Sequence, residues 1–420
     1  MMGGTKRHPV QARAITVRGR RNLPRPSLRA PVGATLLSLL VLLSPDLTMA
    51  PILAGQPAPR PPQHLPLDAG DIWVLPRVQT QPAVDERTAG PTLPVAEVAV
   101  AVAGFQDALE AARAQASAYG VTFALVRDGE VVWAGSSGRE RDGSTALAPD
   151  SPMVIGSVTK TFVAATVLQL AEEDVLDLDD SVRTHLPELR HVSETITIRQ
   201  LMDHTSGLAD LFNDETRAGI EQHPERAWTR PEVLNSLHAP WFLPGEAYGY
   251  ANSNYFLLGL IVERATGSSL ADELAERFIG PLGLDATRML SASEPDGPLE
   301  PAWASIFWAS GAMSSSAVDL ARWGDALYGD DILAGGTKRQ MLRVHEDDYG
   351  LGVQRIELPR RTGYGHTGLL NTYTTLLLHL PADNITIAML VNRTEVDLLS
   401  MLMERPGGDG PSLLRLATTR

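Results

Sequence analysis

Apolar positions along the chain fall into three kinds of run. From Val32 to Ser44 (VGATLLSLLVLLS) they are almost continuous, whereas from Val95 to Tyr119 (VAEVAVAVAGFQDALEAARAQASAY) they are spaced for a helix that Gly120 stops. The third kind is short and β-rich. It begins with VTFALVRDGEVVWAGSSG, which turns back through Asp128-Gly129 and so predicts a hairpin. It returns near the end as YGLGVQRIEL, RTGYGHTGLL, NTYTTLLLHL and NITIAMLVN, with Pro381-Ala382-Asp383-Asn384 turning between the last two. Helix-like runs broken by proline and glycine fill the interval to about Gly311. Strands at both ends with helices between predict one sheet built from distant parts of the chain, with a helical insert. No internal repeat is visible.

Composition adds a boundary at the front. Residues 1–31 carry eight basic side chains, Lys6, Arg7, Arg13, Arg18, Arg20, Arg21, Arg25 and Arg29, and no acid, although the chain as a whole has a formal charge of −14. The body is therefore strongly acidic and repels phosphate backbones, so nucleic acid is not an expected partner. The apolar run that follows is shorter than the ~20 residues that cross a bilayer comfortably. With its basic flank and the small residues Met49-Ala50 and Leu53-Ala54-Gly55 it predicts an export signal within residues 1–55, or an uncleaved membrane tether. Arg20-Arg21-Asn22-Leu23 loosely suits the twin-arginine route. Residues 56–94 are proline-rich and predict an extended linker, 95–402 the folded domain, and 403–420 a flexible tail. The expected location is outside the cytoplasm: periplasmic, cell-surface or secreted. With no cysteine in 420 residues, disulfides, thiolate metal sites and a cysteine nucleophile are excluded.

Only three of the 36 basic residues are lysines, and one of them, Lys160, stands three residues after Ser157 in MVIGSVTKTFVAATVLQL. A serine hydroxyl is a poor nucleophile near neutral pH and needs a base within hydrogen-bond reach. On a helix, positions i and i+3 share a face, which sets Lys160 beside Ser157. An amine can accept the proton if burial lowers its pKa, and an arginine cannot. Val154, Ile155, Phe162, Val163, Val167, Leu168 and Leu170 are the residues expected to bury this helix. Its N-terminus would aim backbone N–H groups at the serine.

Two further stretches join this pair. Tyr250-Ala251-Asn252 places a phenol and an amide ahead of an apolar helix, suited to relaying a proton and holding a substrate carbonyl. Gly365-His366-Thr367-Gly368 adjoins a strand where Gly368 would let a substrate approach the backbone. In this order, Ser-x-x-Lys, Tyr-x-Asn and His-Thr-Gly resemble the serine β-lactamase and penicillin-binding protein superfamily. The branch resembled holds class C β-lactamases, D-alanyl-D-alanine carboxypeptidases and related esterases. LDLDDSVRTHLPEL, ITIRQLMDHTSGL, YANSNYFLLGLIVERATG, ASGAMSSSAVDLARW and YGLGV extend the likeness over roughly Val95 to Asn392.

The resemblance implies an α+β fold, an α/β sandwich with a mainly antiparallel sheet, flanking helices and an inserted helical subdomain. It implies that Ser157 is acylated, that Lys160 and Tyr250 move protons, and that Asn252 binds an amide of the acyl side chain. His366 and Thr367 would meet a substrate carboxylate, and Gly368 would flank the site. The backbone N–H groups of Ser157 and Leu369 would form an oxyanion hole. No cofactor or metal is expected. The implied activity is that of an exported D,D-carboxypeptidase-like peptidase or related esterase or amidase; a β-lactamase, or a slow penicillin- or peptidoglycan-binding sensor, is the alternative. The substrate would be a D-amino-acid peptide, an ester or a β-lactam. His366 in place of a lysine weighs against a β-lactamase. His204 is expected in a structural turn, Asp177, Asp179 and Asp180 in turns and caps, and Tyr248 and Tyr255 in packing. Gly-x-Ser-x-Gly is absent, which argues against an α/β-hydrolase.

Overall fold

The computed structural model describes residues 95–419 except 190–191, 295–296, 330–331, 346 and 406–409, with backbone alone for 95–103. The basic leader, the apolar run and the proline-rich linker lie outside the described residues. In chain order the strands are β1 (Gly120–Arg127), β2 (Glu130–Gly138), β3 (Met153–Val154), β4 (Arg288–Met289), β5 (Met313–Ser315), β6 (Gln354–Leu358), β7 (Arg361–Leu370), β8 (Tyr373–Leu380) and β9 (Ile385–Val391). Asp128 and Gly129 both take positive φ, 52° and 82°, which gives the β1–β2 connection the twist a two-residue hairpin needs.

The main sheet runs β2-β1-β9-β8-β7-β6, so the first hairpin pairs with the last strand. Every neighbouring pair in it is antiparallel. Alternation along the strands splits the core cleanly. Phe123, Leu125, Leu376, Leu378, Ile387 and Met389 face helix α1 (Val95–Gln115) and the helices Leu398–Met403 and Leu413–Thr418. Ala124, Val126, Leu377, Ala388 and Leu390 face α2 (Thr159–Glu172) and the helix Ala317–Tyr328. With both faces covered, the central strands are apolar at nearly every position rather than alternating with polar ones. The fold is thus the α+β sandwich expected, with a helical insert between β2 and the C-terminal strands.

The C-terminal segment corrects one expectation. Residues 413–418 form a helix whose Leu413 and Ala417 are fully buried, and the Arg127 guanidinium donates to the Ala417 carbonyl at 2.6 Å. LLRLAT is short, but its apolar face completes the layer over the sheet, which is why it does not behave as a tail. Among the described residues no helix is long and apolar enough to cross a membrane.

Helix α2 runs through the middle of the molecule. All of Thr159 to Leu168 is buried, and so is Leu170. Phe162 stacks on Trp323 at 3.9 Å between ring centroids, and the Trp323 indole donates to Thr161 Oγ1 at 2.9 Å. A helix buried all round has no polar face on which to place a charge, so Lys160 sits within it at zero exposure.

The YGLGV loop that leads into β6 packs directly on α2. Gly352 has φ of 77°, and a Cβ there would lie 2.3 Å from Ala164 Cβ and 2.8 Å from the Tyr255 hydroxyl. Gly352→Ala should therefore destabilise the domain by about 2–4 kcal/mol through left-handed strain and overpacking. Urea unfolding of the full chain reads this directly; an unchanged midpoint would contradict the packing described.

Candidate active site

Ser157 occupies a single 3-10 turn, Gly156–Val158, that continues into α2, so it is half-buried at the point where the helix opens to solvent. Lys160 lies one turn on. Its amine is 3.1 Å from Ser157 Oγ, 2.8 Å from Asn252 Oδ1 and 2.7 Å from the Ser310 carbonyl. Ser310 ends the helix Pro301–Gly311, where carbonyls have no partner four residues on, so its oxygen is free for the amine. Burial pulls the Lys160 pKa down from 10.5 to about 7, against an opposing pull from the Asp210 carboxylate.

Hydrogen-bond arithmetic gives this cradle its meaning. An ammonium has three N–H donors, and three oxygens meet them. A neutral amine has two N–H donors and one lone pair. The two carbonyl oxygens can only accept, so they take the two N–H groups, and the lone pair is left for the Ser157 hydroxyl proton. Both protonation states are satisfied in one geometry, and a proton can pass from Ser157 to Lys160 without rearrangement.

Tyr250 caps the amine, with Lys160 Nζ 4.9 Å from its ring centre and its hydroxyl close to Ser157. Desolvation raises its pKa well above that of a free phenol, and the contact with Ser157 only partly offsets this. It is a phenol at neutral pH, so the tyrosinate form is disfavoured. Asn252 opens the helix Asn252–Thr266 and is buried, with its carbonyl on Lys160 and its NH2 donating to Asp210 Oδ2 at 3.2 Å. The expected substrate-binding amide is thus largely engaged within the protein.

His204 is no base. It sits at φ of 62° with its ring 4.2 Å from that of Tyr250, and Nδ1 accepts from Asn254 Nδ2 at 2.9 Å and the Ala251 N–H at 3.3 Å. Asn254 in turn accepts from the Ser206 hydroxyl at 2.6 Å. Burial, with Lys160 nearby, holds the His204 pKa well below its ordinary value, and the neutral ring buttresses Tyr250. Tyr255 packs as expected, its hydroxyl donating to the Met202 carbonyl at 2.9 Å.

On the opposite wall, β7 outruns β6, which pairs only as far as Gly365. Thr367 donates its N–H to Gln354 Oε1 at 2.9 Å, on the β6 side, and its hydroxyl to the same oxygen at 3.1 Å. Because N–H direction alternates along a strand, Leu369 points its N–H to that same side, beyond the end of β6. Gly156 and Gly368 bring the two segments together. A Cβ on Gly156 would lie 2.8 Å from Leu369 N, and one on Gly368 would lie 2.0 Å from the Ile155 carbonyl. Gly368 therefore admits the protein's own backbone rather than a substrate.

His366 also departs from expectation. It is buried, with Nε2 2.9 Å from the Tyr349 hydroxyl and Nδ1 2.6 Å from the Thr367 carbonyl. Burial, then Lys160, lowers its pKa to about 3. It braces the strand as a neutral ring and does not present a charge to a carboxylate. The contributions of Asp210, the Ser310 carbonyl, Tyr349 and Gln354 were not read from the sequence. Asp210 and Gln354 have no local signal; Tyr349 and Ser310 lie inside the stretches YGLGV and ASGAM.

A family profile described as Beta-lactamase matches residues 105–402. Protein flp of Staphylococcus aureus (strain MW2) is 31% identical over 173 residues, 40% of this chain and 34% of that protein. Penicillin-binding protein 4 of Amycolatopsis lactamdurans is 27% identical over 328 residues, 69% of this chain and 85% of that one. The match thus spans about a third of Protein flp but most of the second relative. Among solved structures, a D-stereospecific amidohydrolase from Streptomyces sp. superposes with TM-score 0.62 and 28% identity, over 74% of this chain and 99% of that one.

The Lys160 environment carries a stability consequence. Below about pH 7 the amine is charged in both folded and unfolded chains, so the cost of burying that charge is fully present. Between about 7 and 10.5 the unfolded chain still binds a proton that the folded one has lost, and the cost fades as pH rises. A Lys160→Met variant should therefore gain stability relative to the parent as pH falls from 10 to 6. Thermal unfolding across that range would refute this if the difference between the two proteins stayed constant.

Proposed function

The chain belongs to the Beta-lactamase family, and we propose that it is a serine hydrolase working through an acyl-enzyme on Ser157, exported by its basic leader and the apolar run that follows. The observation that carries this reading is the amine of Lys160, buried beside the serine with one lone pair free for its proton. Lys160 takes the Ser157 proton as Oγ adds to the acyl carbon. The oxyanion is met by the N–H groups of Ser157 and Leu369. Lys160 and the Tyr250 phenol then return a proton to the departing amine or alkoxide, and water cleaves the ester left on Ser157.

The favoured substrates are small D-amino-acid amides or esters. None of the side chains that build the β7 wall, His366, Thr367, Leu369 and Gln354, carries a charge, and Leu369 stands 53% exposed. Such a wall suits an uncharged leaving group better than the free carboxylate of a D,D-carboxypeptidase substrate or a β-lactam. The likeness to the Streptomyces D-stereospecific amidohydrolase supports the same class.

Hydrolysis of a p-nitrophenyl ester should rise with pH through a midpoint near 7, as the Lys160 ammonium becomes an amine. Lys160→Arg should lose about 10²–10⁴-fold in kcat/KM, because arginine stays protonated. Near-parent turnover by this variant would exclude the proton-transfer role. For the substrate class, a D-amino-acid dipeptide and its C-terminal amide should differ by about tenfold or more in kcat/KM, in favour of the amide. Both activities should vanish in Ser157→Ala. Preference for the free acid would move the assignment to a carboxypeptidase, and persistence in Ser157→Ala would overturn the acyl-enzyme.

A further inference from the structure

Behind Asn252 lies a carboxylate that the chemistry above does not use. Asp210 is in the loop that follows the short helix Ile198–Met202. Its Oδ1 accepts the backbone N–H of Asn252 at 2.9 Å and that of Phe212 at 3.2 Å, and its Oδ2 accepts the Asn252 NH2 at 3.2 Å. Burial raises the Asp210 pKa, while the backbone N–H groups of Phe212 and Asn252, the Lys160 amine and the Asn252 NH2 pull it back down, so the donors around it favour the carboxylate.

We propose that Asp210 is a positioning residue for acyl transfer, holding the Asn252 amide so that its carbonyl oxygen, and not its NH2, faces Lys160. The two ends of an amide have nearly the same shape, so only their hydrogen-bond partners tell them apart. Here a pure acceptor lies at one end and the amine at the other. Turned over, Asn252 would set its oxygen against the Asp210 carboxylate and its N–H donors against the N–H groups of Lys160. The lone pair would then no longer be directed at Ser157. The inference rests on Lys160 being the base, and adds that the base is aimed from a loop that touches no reacting atom.

Asp210 also acts through space. It pulls the Lys160 pKa upward, opposing burial. The other titratable groups around Lys160 are Tyr250, Tyr255 from the helix Asn252–Thr266, His204 from the Asp210 loop and His366 from β7. Removing the Asp210 charge therefore lowers the pH at which the amine becomes neutral.

The test uses the full chain with p-nitrophenyl butyrate, comparing the parent, Asp210→Asn, Asp210→Glu and Ser157→Ala. Asp210→Asn is expected to lose about 10–100-fold in kcat with a smaller change in KM, and to move the acid limb of kcat/KM to lower pH. Asp210→Glu keeps the charge but displaces it, so its limb should stay while kcat falls. An Asn variant with the parent's kcat and limb would overturn the proposal, as would a loss that only tracks the folded fraction with the limb unmoved. If the Asn variant does not fold, the Glu variant decides: parent-like kcat or a displaced limb overturns the proposal. Ser157→Ala separates the two levels, because activity retained there overturns the acyl-enzyme itself, whereas activity lost there with a parent-like Asp210→Asn overturns only this inference.

Discussion

Burying an amine among three oxygen atoms constrains what surrounds it. Lys160 is fully buried, and its partners are Ser157 Oγ, Asn252 Oδ1 and the Ser310 carbonyl. Desolvation disfavours the ammonium, while the three oxygens and the distant Asp210 carboxylate favour it. The balance falls at about 7, where an amine can exchange a proton with a serine on either side of neutrality. Moving one oxygen changes both where the lone pair points and where that balance lies.

Two parallel rows of polar side chains hold this arrangement. One runs from Asp210 through Asn252 to Lys160, and the other from Ser206 through Asn254 and His204 to the face of Tyr250. Both start in the loop after Ile198–Met202 and cross to the first residues of the helix Asn252–Thr266. Asn252 and Asn254 are two residues apart and project differently, which lets a single helix end serve the base and the phenol. The glycines Gly156 and Gly368 complete the frame by drawing β7 onto the turn that bears Ser157.

Much of this was legible in the sequence because the residues that do chemistry are tied to local pattern. Ser157 and Lys160 are three apart at the head of a largely apolar helix, Asp128-Gly129 marks the first hairpin, and the strands from Gln354 onward are short β-rich runs set between turn residues. What was not legible depends on contacts between distant segments. His366 looks available to a carboxylate until Tyr349 and the Thr367 carbonyl occupy both ring nitrogens. Asp210 resembles any loop acid until Asn252, 42 residues away, closes on it. The terminal LLRLAT is too short to predict as a helix alone, and is held by the layer of α1 and Leu398–Met403 beneath it.

The central claim is that Lys160 is neutral at the pH where the protein works, and with three lysines in the chain it can be watched directly. In the full chain labelled with [ε-13C]lysine, the Lys160 signal is the one absent from Lys160→Arg. Its chemical shift should titrate with a midpoint of about 7. A Lys160 signal that titrates only near the ordinary value of 10.5 would mean the amine is an ammonium at neutral pH, and the proposed base would be lost.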